Sequence, residues 1–175
     1  MKIRTLNAND APQLERFLQD FFDAGETDIP GYFAAPEWPL SQAIERMAAW
    51  GRGEQLGEGW VPCTTHFLVV QDEIQGLCNF RHSLTEQLRN FGGHAGYAVR
   101  PSARGQAHAT RLLEHAKDFG RSLGIDRLLM TCDPANIASV RVIQKCGGVL
   151  LDNLYRESRQ RHVSRFWISL DVATP

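Results

Sequence analysis

The residues best suited to chemistry lie in one run, GYAVRPSARGQAHATRLLEHA, from Gly96 to Ala116. A strand-like segment enters a turn marked by Pro101 and Ser102, passes Arg104 and Gly105, and opens into a helical pattern. The first amides of a helix lack an internal partner and sit at the positive end of its dipole, so a strand-turn-helix of this kind can hold phosphate oxygens. Small residues at Gly105, Ala107 and Ala109 let a ligand approach the backbone, and Arg104 adds a fixed charge. By spacing alone, an ordinary turn with a solvated arginine accounts for the run equally well. Two other nucleotide motifs are missing, since the chain has neither G-x-G-x-x-G nor the Walker pattern G-x-x-x-x-G-K-S/T.

The elements that must position this run follow from periodicity. KIRTL alternates as a short strand, and Leu14, Phe17, Leu18 and Phe21 then share one helix face, with Asn9 or Asp10 as cap and Pro12 in the first turn. AGETDIPGYFAAPEWP is too rich in Gly and Pro for a regular element, yet it carries Tyr32, Phe33 and Trp38, which points to a structured loop. Ser41 is placed to cap a second helix. HFLVV and IQGLCNF read as a hairpin turning at Asp72 and Glu73, and GGHAGYAV as a further strand whose glycines suggest a close approach. Ala109, Leu112, Leu113, Ala116, Phe119 and Leu123 form the apolar face of a helix. RLLMTC, VLLDNLY and VSRFWISLDV read as strands, with NIASVRVIQKCG a helix between the first two. The order predicts an α/β fold: a mixed, mostly antiparallel central sheet flanked by helices.

The chain's 175 residues fit one domain, 1–175, with enough length for a real core. Nineteen Lys and Arg against twenty Asp and Glu give a net charge of -1, which argues against a broad grip on nucleic acid or on an anionic membrane. No apolar run approaches a membrane span, and the amino end lacks the apolar core of a secretory signal, so a cytoplasmic location is expected. Cys63, Cys78, Cys132 and Cys146 are scattered and read as small core residues in a reducing compartment. Cys63 and His66 have C-x-x-H spacing but no second ligand pair, so no metal is expected.

Two segments together resemble a known family. VRPSARGQAHA is similar to the Q/R-x-x-G-x-G/A signature of the Gcn5-related N-acetyltransferases (GNAT), and CDPANIASVRVIQKCGGV resembles that family's second conserved segment. The order of elements matches as well, so the resemblance covers nearly the whole chain. The FGGHAGYAVRPS box looks closest to a bacterial branch of predicted acetyltransferases with no assigned acceptor.

The resemblance implies an enzyme that moves acetyl from acetyl-CoA to a primary amine by direct attack. Arg104, Gly105, Gln106, Ala107, His108, Ala109 and Thr110 would cradle the pyrophosphate, mainly through backbone N–H groups. Ala98 and Val99 would pair their main chain with the pantetheine arm like an added strand, and Asn136 and Ser139 would contact its far side. Two departures stand out. Ala107 replaces the family's usual middle glycine, where its methyl either crowds the phosphates or starts the helix better. Ile143 stands where many members carry the tyrosine that protonates the leaving thiolate. An alternative reading is therefore a coenzyme-binding module with weak or no turnover.

An alkyl ammonium has a pKa near ~10.4, so the attacking amine needs a base, whereas a thiolate with a pKa near ~8.5 leaves without strictly needing an acid. His94 and Asp133 are the candidate bases, His82 and Glu86 more distant ones. Tyr97 is the candidate replacement acid, with Tyr155 of similar standing; His115 reads as solvated. Tyr32, Phe33, Trp38, Trp50 and Trp60 either line an acceptor pocket or form a lid over the sheet. A homodimer is the expected assembly for an enzyme of this size.

Overall fold

A computed structural model of the chain describes residues 1–31 and 38–170. Its centre is a seven-stranded sheet of β1 (Lys2–Arg4), β2 (Cys63–Val70), β3 (Glu73–Arg81), β4 (Ala95–Val99), β5 (Arg127–Cys132), β6 (Gly148–Arg156) and β7 (Arg161–Ser169). The strand order is β1-β2-β3-β4-β5-β7-β6, and the β4–β5 pair alone is parallel. Helices α1 (Ala11–Asp23), α2 (Leu40–Gly51), α3 (Glu86–Phe91), α4 (His108–Ser122) and α5 (Ile137–Lys145) complete the elements. The expected mixed, mostly antiparallel α/β architecture is the one observed. Among the described residues, no helix is long and apolar enough to cross a membrane.

Alternation along the strands divides the core between the two faces of the sheet. Phe67, Ile74 and Leu77 pack with Leu14, Phe17, Leu18 and Phe21 of α1 and Ile44 of α2. Leu68, Cys78 and Phe80 point the other way, to Leu112, Leu113 and Ala116 of α4 and Ile143 of α5. Ala98 packs on the α1 face, Tyr97 and Val99 on the α4 face, so β4 contributes to both layers.

Three local expectations are corrected by competing bonds. Asp10 does not cap α1: its carboxylate takes two bonds from Arg4 at 2.7 Å each and one from the Asn7 amide at 2.8 Å. Asn7 caps the preceding short turn instead. Helix α2 starts at Leu40 behind Pro39, which leaves Ser41 inside it. The β2–β3 turn is Gln71 and Asp72, both at positive φ (49° and 60°), with Glu73 already in the strand.

Candidate active site

Strands β4 and β5 touch at one point and then part. Ala95 pairs with Met130. Beside it, the His94 N–H donates to Leu129 O at 2.7 Å, and the Leu129 N–H donates to His94 Nδ1 at 2.8 Å. Beyond that clamp no pairing joins the strands, and a cavity of about 940 Å³ fills the wedge.

The main chain of β4 faces this wedge at alternate residues. Arg81 N–H bonds His94 O at 2.7 Å, and Arg100 N–H bonds Gln75 O at 3.0 Å. In an antiparallel ladder the residues between must alternate, so Gly96 and Ala98 turn their N–H and C=O to β3, and Tyr97 and Val99 turn theirs to the wedge. Ala98 O accordingly lies 2.8 Å from where a side chain on Gly76 would begin. Ala98 lines the cavity too, but by this alternation its main chain turns to β3 and that of Tyr97 to the wedge. Val99 lines the wedge, and its carbonyl accepts Arg104 Nε at 3.3 Å.

The wedge opens onto the start of α4. Arg111 N–H makes the first bond back into the helix, to Ala107 O at 3.2 Å, which leaves the amides of His108, Ala109 and Thr110 without a partner among the described residues. All three residues line the cavity, together with Arg104, Gly105 and Ala107; Gln106 does not. His108 is buried, and its Nδ1 has no hydrogen-bond partner. Arg104 is not free, because Glu26 holds it in a two-pronged pair at 2.7 and 2.6 Å. Nothing in the sequence marked Glu26, since the pair spans the chain from the end of α1.

Ala107 adopts φ 60°, ψ 16°, the left-handed conformation that favours glycine. Its methyl therefore does not start the helix better. Replacing Ala107 with glycine is expected to stabilise the chain by about 1 kcal/mol, raising the thermal midpoint by roughly 2–4 °C. An unchanged or lower midpoint in a melting experiment would contradict this.

The predicted catalytic residues separate. Tyr97 and Asp133 line the wedge, as do Asn136 and Ser139. Asn136 caps α5 by accepting the Ser139 N–H at 3.0 Å, and Tyr97 Oη donates to Ser139 O at 3.4 Å. Burial pushes the Tyr97 phenol up to about 12. Asp133 accepts the Ala135 N–H at 2.8 Å. His94 does not line the cavity. Its Nδ1 is occupied by the Leu129 amide, which leaves the ring proton on Nε2, and burial drives its pKa down to about 4. It is a clamp between strands and is poorly built to take a proton from an amine.

Of the more distant candidates, His82 bonds Thr64 Oγ1 at 2.8 Å, Tyr155 lies against His162, and neither they nor Glu86 line the wedge. His115 is not solvated: it packs edge-on against His66 with ring centres 4.5 Å apart, and its Nε2 is buried without a partner. Tyr32 and Phe33 lie outside the described residues. Trp38 lies under the Arg46 guanidinium, Trp50 is buried in the core, and Trp60 lines a second cavity described below.

These buried and half-buried histidines set a pH dependence. His66 and His94 are both held near about 4 by burial, below the ordinary 6.5, and burial lowers His82, His108 and His115 in the same direction. The unfolded chain therefore binds more protons between those values, and stability rises with pH across that window. Urea midpoints should fall on acidification from 6.5 towards 4, and the fall should lessen in the His66→Gln variant. A flat profile for the native chain would count against this assignment.

A parallel pair parted beside a helix N-terminus with three unpartnered amides, on a mostly antiparallel sheet, is the geometry of the site. The matching family model is "Acetyltransferase (GNAT) domain", over residues 1–149. No curated protein matches the chain by sequence. Among solved structures, the ribosomal-protein-S5-alanine acetyltransferase from Vibrio fischeri superposes with a TM-score of 0.72 at 15% identity, covering 99% of this chain and 94% of that one. An acetyltransferase from Salmonella typhimurium that modifies the N-terminal serine of ribosomal protein L7/L12 gives 0.70 at 16% identity, over 97% and 94%. A putative acetyltransferase from Salmonella typhimurium, solved with its cofactor acetyl-CoA, gives 0.61 at 16%, over 99% and 96%. The chain belongs to the GNAT family and is an acyl-CoA-dependent acetyltransferase.

Proposed function

We propose that residues 1–175 form a single N-acetyltransferase domain that transfers acetyl from acetyl-CoA to a primary amine within the β4–β5 wedge. The observation that carries this reading is the convergence, in one cavity, of the Tyr97 and Val99 main chain, which pairs with no neighbouring strand there, with the unpaired amides of His108, Ala109 and Thr110. The orphaned His108 Nδ1 supports the fit, since a buried polar atom without a partner is costly unless a ligand completes it. Acetyl-CoA supplies the activated thioester; the rest of the chemistry falls to the chain.

The α4 amides hold the pyrophosphate, Tyr97 and Val99 align the arm as an extra strand, and Asn136 and Ser139 guide it from α5. A free β4 N–H, pre-aimed at the wedge, stabilises negative charge on the thioester oxygen. Tyr97 donates to the leaving sulfur from β4, replacing the function that Ile143 cannot supply. Asp133 is the proton acceptor for the amine. Arg104 steadies the loop through Glu26 and Val99 O more than it contacts phosphate.

The test is thermal unfolding with acetyl-CoA against a nucleotide lacking the pantetheine arm, followed by CoA release with a panel of amines. At a hundredfold excess over Kd, binding adds about 2.7 kcal/mol, or roughly 5–10 °C. No shift at millimolar coenzyme would sink the reading. A shift without CoA release from any amine would favour the module with weak or no turnover, which the buried Ile143 supports. The proposal includes a homodimer, supported by Val149, Leu150 and Leu151 exposed on edge strand β6, and a cytoplasmic location, supported by four free cysteines.

A further inference from the structure

A second cavity, of about 530 Å³, adjoins the wedge, and Pro30, Phe91, Gly96 and Thr131 line both. It lies where the close approach of Pro30 to Gly96 brings the segment after α1 against β4; a side chain on Gly96 would begin 2.9 Å from Pro30 Cβ. Its volume suits a small ligand.

The charges around it are one-sided. Arg81, Arg156, Arg159 and Arg161 line the cavity, and among the described lining residues Asp28 is the one carboxylate. Asp28 is taken by Arg159 at 3.2 Å. Arg81 donates to two neutral carbonyls, Gly92 O at 3.1 Å and Gly93 O at 3.3 Å, and forms no ion pair with a described residue. Arg156 lies over the Phe91 ring at 5.3 Å and bonds Ser158 Oγ at 3.3 Å, again without a carboxylate. The Arg161 side chain has no hydrogen bond or ion pair with any described residue, its main chain being part of the β6–β7 ladder. The guanidiniums feel one another: Arg156 is lowered first by burial, then by Arg159 and Arg161. Four guanidiniums gathered at a concave site against the single carboxylate of Asp28 are placed for an anion from outside, and arginine forks match a carboxylate.

We propose that this cavity is the acceptor site, and that the acceptor is an amine carrying a carboxylate on the same molecule, held by Arg156 and Arg161 while its amine enters the wedge. The inference rests on the acetyltransferase reading. Such a site disfavours polyamines, whose second cation would meet the same arginines. The carboxylate can belong to a free amino acid or to an acidic peptide end, and the experiment has an arm for each.

Two measurements separate this proposal from the reading beneath it. The first is equilibrium binding of glutamate, of a short peptide beginning with acidic residues, and of the methyl ester and amide of each, to the native chain with and without CoA. The second is kcat/KM by CoA release with the same amines and with spermidine. One or both acids should bind at least tenfold tighter than their neutral derivatives and turn over at least tenfold faster. The Arg156→Gln and Arg161→Gln variants should each shrink that ratio, and the double variant should bring it close to one. Arg121→Gln, on α4 and paired with Asp118, should leave it unchanged. Equal rates for acids and esters, a preference for spermidine, or a ratio that survives the double variant overturns the proposal. If acetyl-CoA raises the melting point while neither acid is preferred, the acceptor proposal fails and the acetyltransferase reading stands. If an acid binds selectively but acetyl-CoA does not bind, the cavity's anion preference stands and the acetyltransferase reading fails.

Discussion

Replacing Tyr97 with phenylalanine is expected to lower kcat about 10²-fold while leaving the KM for acetyl-CoA within a factor of about two. The phenol lines the wedge, and its bond to Ser139 O is long at 3.4 Å, so the hydroxyl can turn to a closer partner. Burial keeps it protonated up to about 12. A thiolate with an unperturbed pKa of ~8.5 is a weaker base than that phenolate, so in the proposed role Tyr97 would stabilise the departing sulfur by a hydrogen bond and retain most of its proton. That places the expected loss at the low end of what a positioned acid contributes, ~10²–10⁴-fold. Stability should change by no more than about 1 kcal/mol, because the bond removed is weak. A kcat within about twofold of native would show that Tyr97 is a packing residue and that the sulfur leaves without help.

Gly93→Ala is expected to destabilise the chain by about 3 kcal/mol or more, lowering the midpoint by roughly 6–12 °C. Gly93 sits at φ 64°, and a Cβ built there would lie 2.5 Å from Leu129 O and 3.2 Å from Leu129 C. Those are backbone atoms, and that carbonyl is fixed by the His94 N–H. The alanine must therefore push β4 away from β5 at the one point where they meet, with left-handed strain added. Losing the clamp should also shrink the midpoint shift that acetyl-CoA produces, since the wedge is shaped by what closes its narrow end. A variant destabilised by less than about 1 kcal/mol would mean that the clamp yields and does not set the wedge.

Much of this was legible in the sequence. The strand-turn-helix around Arg104 and the α1 and α4 faces are local, set by periodicity within a few turns, so Leu14, Phe17, Leu112 and Leu113 fall in the core where the spacing puts them. The paired segments around Ala107 and Asn136 sufficed to suggest the family, because local chemistry carries the phosphate loop. Cap choice was less legible: the sequence offered Asn9 or Asp10 for α1, but Arg4 takes the Asp10 carboxylate through the fold, and Asn7 caps the short turn before it.

What the tertiary structure decided concerns long-range pairing and facing. That Tyr97 and Val99, and not Ala98, turn their main chain to the wedge depends on the register of β4 against β3, which no residue type encodes. His94 looked like a base because histidine titrates in a useful range, yet the Leu129 amide across the sheet claims its nitrogen. Arg104 looked free until the fold brought Glu26 to it. Arg81 meets Arg156 and Arg161 around one cavity although 75 positions of the sequence separate it from the nearer of the two. Local spacing fixes which face a residue takes on its own element, and only the closed fold fixes which partners that face meets.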